Sequence, residues 1–190
     1  MKHQLILTTL LALFLAACQP APEGETAQAQ ADAPSTNTIE QRLDELGVEL
    51  PEPSTPVANY VNAVTTGNLV FLAGKGPKKV DGTYITGKVG IDLTEEEGYA
   101  AARLVAINQL AALKAEIGNL DRVKRIVKVL GMVNCAPDYG NQPEVVNGFS
   151  DMMVEVFGEK GKHARAAVGM GSLPRNIAVE IEMIVEIDPR

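Results

Sequence analysis

No long basic run and no interleaving of basic with aromatic residues occurs in this chain, histidine and cysteine each occur only twice, and no apolar run is as long as a membrane span. Each shortage removes a class of function. Phosphate backbones are gripped by clustered Lys and Arg, so a chain with a formal charge of −7 and no basic run interleaved with aromatics is not expected to partner nucleic acid. The histidines are His3 and His163. That is too little for a zinc site or a His-based triad, and no metal or cofactor is expected. The apolar stretch at residues 5–17 falls short of the roughly 20 residues that cross a bilayer, so it is not a transmembrane helix.

What is present begins with "MKHQLILTTLLALFLAAC", residues 1–18. A positive start, a short apolar run and small residues before a cysteine make an export signal. Its end, "LAAC", resembles the lipobox of bacterial lipoproteins, which implies lipidation of Cys18. Acyl chains contribute about 0.8 kcal/mol per buried methylene, and two or more anchor stably. With Gln19 rather than Asp after the cysteine, the expected location is the cell envelope, on the periplasmic side of the outer membrane. Cys135 is then the one remaining cysteine, so no intramolecular disulfide is expected. Residues 19–37, "QPAPEGETAQAQADAPSTN", hold almost no large apolar side chain and read as a disordered linker.

A globular domain is expected over residues 38–190, within the usual length of one domain. "TIEQRLDELG" predicts a short helix capped by Thr38 and closed by Gly47. "YVNAV" and "LVFLAG", separated by "TTGN", predict a hairpin, and Asp81-Gly82 predicts a second hairpin turn. "DLTEEEGYAAARLVAINQLAALKAEIG" predicts a long helix with Thr94 as cap, Glu97 three residues on and Gly118 at its end. "VKRIVKVLGMV" reads as a strand, and "PEVVNGFSDMMVEVFG" as a helix from Pro143 to Gly158. Two strands, "ARAAVGMG" and "AVEIEMIVEI", follow. The order is ββαβαββ, an α+β fold with two helices on one face of a sheet.

The last strand alternates Val179, Ile181, Met183, Val185 and Ile187 with a largely acidic set that includes Glu180. In the strand before it, Ala164, Ala166, Val168 and Met170 alternate with Arg165, Ala167 and Gly169, so Arg165 is expected on the face that carries Glu180. The plainest role for Arg165 is a cross-strand ion pair with Glu180, a contact of roughly 0.2–1 kcal/mol. The sharper role is to receive a small carboxylate. Ala167 and Gly169 leave a hollow beside a planar fork suited to bidentate binding, each charged hydrogen bond contributing about 1.5–3 kcal/mol. A sheet face of acid and alanine also suits a subunit interface.

Arg165 in "ARAAV", Leu173-Pro174 and "VEIEMI" at residues 179–184 resemble the C-terminal signature of the RidA (YjgF-type) reactive-intermediate deaminases. "NYVNAVTTGNLVFLAGKGP" resembles that family's opening hairpin, with Tyr60 and the strand-end Gly74, and "VVNGFSDMM" its second helix, with Asn147. The likeness spans residues 57–187. It implies a chorismate-mutase-like fold and a homotrimer, sheets inward, with ligand sites in clefts between subunits. It also implies hydrolysis of small 2-imino or enamine acids to 2-oxo acids and ammonia. Carried over by position, Arg165 clamps the substrate carboxylate and Glu180 positions and activates water. Tyr60, Gly74 and Asn147 shape the pocket, and the Ala167 carbonyl holds the water. The chain departs from the pattern in four places, which mark a divergent branch. Ala167 stands where a cysteine is common, Lys75 where a glutamine is usual, His163 precedes the arginine in place of a proline, and the loop "GKGPKKVDGTY" is long. The alternative function is a non-catalytic envelope binder of small carboxylates in the same clefts. Cys135 and the Met152-Met153 pair read as core, and Lys124, Arg125 and Lys128 as a solvated face.

Overall fold

A computed structural model describes residues 38–56 and 58–189. The expected signal segment, the linker and Cys18 lie outside the described residues. Helix α1 (Ile39–Glu45) begins where Thr38 accepts a hydrogen bond from the Gln41 backbone N–H while the Gln41 side chain accepts from the Thr38 N–H. The same reciprocal box opens α2 (Glu95–Ile117), between Thr94 and Glu97, and Gly118 ends that helix with φ of 84°. Such caps contribute about 1 kcal/mol each by satisfying amides that the helix cannot. Helix α3 (Gln142–Phe157) carries Pro143 in its first turn and stops at Gly158.

The strands are β1 (Ala63–Thr66), β2 (Leu69–Lys75), β3 (Val123–Asn134), β4 (Ala164–Met170) and β5 (Val179–Ile187). They form one sheet in the order β1-β2-β5-β3-β4, with β3 and β4 parallel and every other pair antiparallel. Leaving α1 aside, the chain order is the expected ββαβαββ. Helices α2 and α3 pack on the face that presents Val70, Leu72, Ile126, Val129, Val133, Ile181, Met183 and Val185, all buried. Met152 and Met153 lie in the same core, as does Cys135.

Two local expectations are corrected. The first hairpin turns on two residues, Gly67 and Asn68, because Thr65 and Thr66 pair with Val70 and Leu69 as part of β1. At Asp81-Gly82 the chain turns, with Asp81 Oδ1 accepting from the Thr83 N–H and hydroxyl, but only the single bridge Lys78–Tyr84 forms. The segment is a closed turn rather than a strand pair.

The helices approach closely because α3 has no side chain where they cross. A Cβ on Gly148 would lie 2.1 Å from the Tyr99 carbonyl oxygen of α2. Arg103 on α2 grips Glu155 on α3 through two hydrogen bonds, at 3.0 and 2.5 Å, and the Tyr99 hydroxyl donates to Asp151 at 2.9 Å. These contacts fix the rotation of α3, and so decide which of its side chains overhang β4.

Candidate functional site

Among the described residues strand β4 ends the sheet, with β3 on one side and no strand on the other. Arg165 pairs in register with Val129, and Val129 with Met183. Residues opposite one another in register point to the same side of a sheet, so Arg165 points toward α3. There its Nη1 donates to Asn147 Oδ1 at 2.8 Å and to Ser150 Oγ at 3.0 Å. Asn147 and Ser150 are three residues apart, the spacing that puts two side chains on one helix face. The Asn147 amide donates its own N–H to Glu144 Oε2 at 2.9 Å, which turns its oxygen toward the arginine. No ion pair holds Arg165 among the described residues. The guanidinium is thus half-buried on two neutral acceptors, both on Nη1, with Nε and Nη2 uncommitted.

The network continues one residue pair further. Ser150 Oγ lies 3.1 Å from His163 Nε2, and His163 Nδ1 lies 2.6 Å from the Gly161 carbonyl oxygen. A carbonyl only accepts, so Nδ1 carries the hydrogen and Nε2 is left to accept from the Ser150 hydroxyl. Burial pushes the His163 pKa below its ordinary value, with the nearby Arg165 charge acting the same way and the bond to Gly161 opposing. The imidazole is neutral at neutral pH.

The expected juxtaposition of Arg165 and Glu180 is overturned within one chain. Glu180 pairs with Met132, and Met132 with Val168, so Glu180 lies on the open face, opposite to Arg165. The inference assumed that β4 and β5 form a hairpin. Instead β3 lies between them and the parity of β4 reverses. Ala167 shares the Arg165 face, in register with Gly131 and Ile181. The hollow beyond it is partly closed, since a Cβ on Gly169 would lie 2.7 Å from Gln142 Nε2 and 3.0 Å from Cys135 Sγ.

Glu180 has its own setting. A Cβ on Gly74 would lie 2.3 Å from Glu180 Oε1, so a glycine at this position is what admits the carboxylate. Burial, and secondly the charge of Glu182, push the Glu180 pKa above the usual carboxylate range. Gly74 sits at a break in the β2–β5 register between Leu72 and Lys75, where buried Gln109 donates to the carbonyls of Ala73 and Ile181. Lys75 is 8 % exposed and donates to Asn62 Oδ1, and burial lowers its pKa. Tyr60, 50 % exposed, precedes β1 at the sheet edge remote from β4.

The sequence-derived residues therefore fall into two groups. Arg165, Asn147 and Ala167 meet at the β4 edge under α3. Gly74 and Glu180 meet on the open face, with Tyr60 beyond β1. Two clefts lie elsewhere: one of about 400 Å³ is bordered by Thr65, Glu116 and Arg122, and one of about 290 Å³ by Pro51, Lys78 and Asn108. Neither includes Arg165, which stands on an open shelf. Sequence reasoning missed Ser150, although its position three residues after Asn147 on an amphipathic helix was the signal.

Residues 40–187 match the family described as "YjgF/chorismate mutase-like, putative endoribonuclease". The chain is 41 % identical over 155 residues to Protein TCP17 of Trypanosoma cruzi, covering 81 % of this chain and 97 % of that one. It is 28 % identical over 142 residues to the 2-iminobutanoate/2-iminopropanoate deaminase of Dermatophagoides farinae, covering 74 % and 95 %. The crystal structure of Atu1372 from Agrobacterium tumefaciens, a protein of unknown function, superposes with a TM-score of 0.73 at 45 % identity, over 80 % of this chain and 94 % of that one.

Proposed function

The chain belongs to the YjgF/RidA-like family, and from that premise we propose that it hydrolyses small 2-imino or enamine acids to 2-oxo acids and ammonia in clefts between copies of itself. One observation carries this reading: a half-buried guanidinium is held in place by two neutral acceptors and, among the described residues, left without an acid of its own. A fixed cation with an uncommitted Nε/Nη2 edge is a receptor for a planar carboxylate, which it binds through two parallel charged hydrogen bonds. An imine hydrolyses in water unaided, so orientation and a placed proton donor or acceptor supply the acceleration. Asn147 positions the clamp, and the Ala167 carbonyl and Tyr60 border the ligand. Glu180, seated over Gly74, helps position the attacking water.

The separation of the two groups supports a shared site. Glu180 cannot face Arg165 of its own chain across the sheet, whereas a second copy laid on the open face can bring its own half to the β4 edge. That face presents Val64, Phe71 and Val168 to solvent beside Glu180 and Glu182, a patch that suits burial against another copy. The assembly we propose is a homotrimer with the sheets inward. The acidic balance of the chain disfavours RNA as its substrate.

Purified mature protein is expected to accelerate ammonia release from freshly generated 2-iminopropanoate and to sediment as a trimer. A flat assay on a folded trimer whose melting temperature rises with 2-oxobutanoate would replace hydrolysis by carboxylate binding alone. We further propose that Cys18 is lipidated and holds the domain at the periplasmic side of the outer membrane. Metabolic labelling with a radioactive fatty acid is expected to mark the wild-type chain and not Cys18→Ala, and equal labelling of both would end that reading.

A further inference from the structure

The network behind Arg165 does more than anchor it. Asn147 alone would hold Nη1, yet Ser150 also contacts it, and the serine leads to an imidazole whose tautomer is fixed by a backbone carbonyl. A hydroxyl that donates to a neutral imidazole and lies 3.0 Å from the substrate-binding cation has the connectivity of a proton relay. We propose that Ser150, backed by His163, is the proton acceptor for the water that attacks an imine held on Arg165; this rests on the deaminase reading above.

The surroundings of His163 suit the task. Helix α3 offers it the Ser150 hydroxyl and the edge of the Phe149 ring, 6.4 Å away between centroids and nearly perpendicular. The 3₁₀ turn Gly158–Gly161 offers the Gly161 carbonyl. Strand β4, which begins at the residue after His163, offers Arg165, whose charge acts on the titration of the imidazole. Asp151 is engaged by Tyr99, Lys162 by Glu159, and Lys160 by the Val123 carbonyl. Among the described residues no carboxylate holds the imidazole in its charged form, so it is available as a base. Ser150, His163 and Arg165 are all half-buried, within reach of water and ligand.

The proton accounting closes with Glu180 of the adjoining copy as the second group. Water oxygen bonds to the imine carbon, the C=N electron pair moves to nitrogen, and nitrogen takes the proton of Glu180. The water proton passes to Ser150 Oγ as the serine proton passes to His163 Nε2. The carbinolamine then collapses: the imidazolium proton returns through Ser150 to the amine nitrogen, and the C–N bond breaks. The hydroxyl proton goes to the Glu180 carboxylate, ammonia leaves, and both groups are restored. Burial of the carboxyl raises its pKa while burial of the imidazole lowers that of His163, the opposed pair that such a cycle uses.

The test measures kcat and KM for 2-iminopropanoate from about pH 5 to 8, as catalysed ammonia release above background, in the wild type, His163→Gln, Ser150→Ala and Ser150→Thr, each checked for folding by melting temperature. A base must be neutral to act, so wild-type kcat is expected to fall on acidification with an apparent pKa below the ordinary histidine value of 6.5. His163→Gln and Ser150→Ala are expected to lose that acid limb and about 100-fold in kcat with KM little changed, while Ser150→Thr keeps both limb and rate. A raised KM with kcat and limb intact would reduce the pair to a prop for Arg165 and overturn the relay, as would an unchanged profile in His163→Gln. Absence of turnover in the wild type would instead remove the deaminase reading, and the relay with it.

Discussion

Arg165→Ala is expected to lower kcat/KM for 2-iminopropanoate at least about 100-fold, because two charge-assisted hydrogen bonds of about 1.5–3 kcal/mol each are lost together. The fold is expected to survive. The side chain is half-buried at a sheet edge, and Asn147 and Ser150 are exposed enough to bond to water once it is gone. The two hydrogen bonds lost with the side chain cost about 1 kcal/mol each, less than the stability of a domain of this size. Arg165→Lys should recover only part of the activity, since an ammonium cannot bond to Asn147 and present a flat paired edge to a carboxylate at once. The decisive measurement is steady-state ammonia release alongside 2-oxobutanoate binding by calorimetry. If Arg165→Ala binds and turns over within about threefold of the wild type, the guanidinium does not hold the substrate.

The second large effect is on stability. Gly148→Ala puts a methyl group 2.1 Å from the Tyr99 carbonyl oxygen, 2.9 Å from its carbon and 3.2 Å from the Arg103 amide. All three are backbone atoms of α2, so no side chain can swing aside. The helices must part, straining the Arg103–Glu155 grip and the Tyr99–Asp151 bond. Overpacking costs of about 3 kcal/mol follow, which for a domain of this size is a fall in melting temperature of about 6–12 °C. Turnover should fall too, because Asn147 and Ser150 ride on the displaced helix. A melting temperature within about 2 °C of the wild type would show that the crossing is looser than it looks.

Much of the fold could be read because its signals are local. Thr38 with Gln41, Thr94 with Glu97, and the glycines after α2 and α3 act within a few residues of where they stand, and the structure uses them as read. The face of Arg165 could not be read that way, because parity in β4 depends on which strand lies beside it. Sequence order suggests β5. The connection through α3 makes it β3, and the small residues Ala164 and Ala166 give no burial signal to correct the error. That Arg165 receives a ligand rather than pairing with Glu180 was one of two readings open in the sequence, and only the β3–β4 and β3–β5 registers decide between them; Asn147 was legible from the family resemblance. Ser150 was not read, because its spacing of three from Asn147 points to no partner until the strand beneath the helix is known. Gly74 was legible as a glycine of the strand end, but its physical reason, room for the Glu180 carboxyl, required the β2–β5 register.

Among the described residues the sheet stops at β4, and the outward amides and carbonyls of that strand have no strand to pair with. Such a border is a template for any extended peptide; β4 carries no proline, and the inward charge of Arg165 is the device on it that blunts strand addition. Removing that charge is therefore expected to leave the chain more prone to growth by strand addition, so that Arg165 bears on solubility as well as on ligand binding.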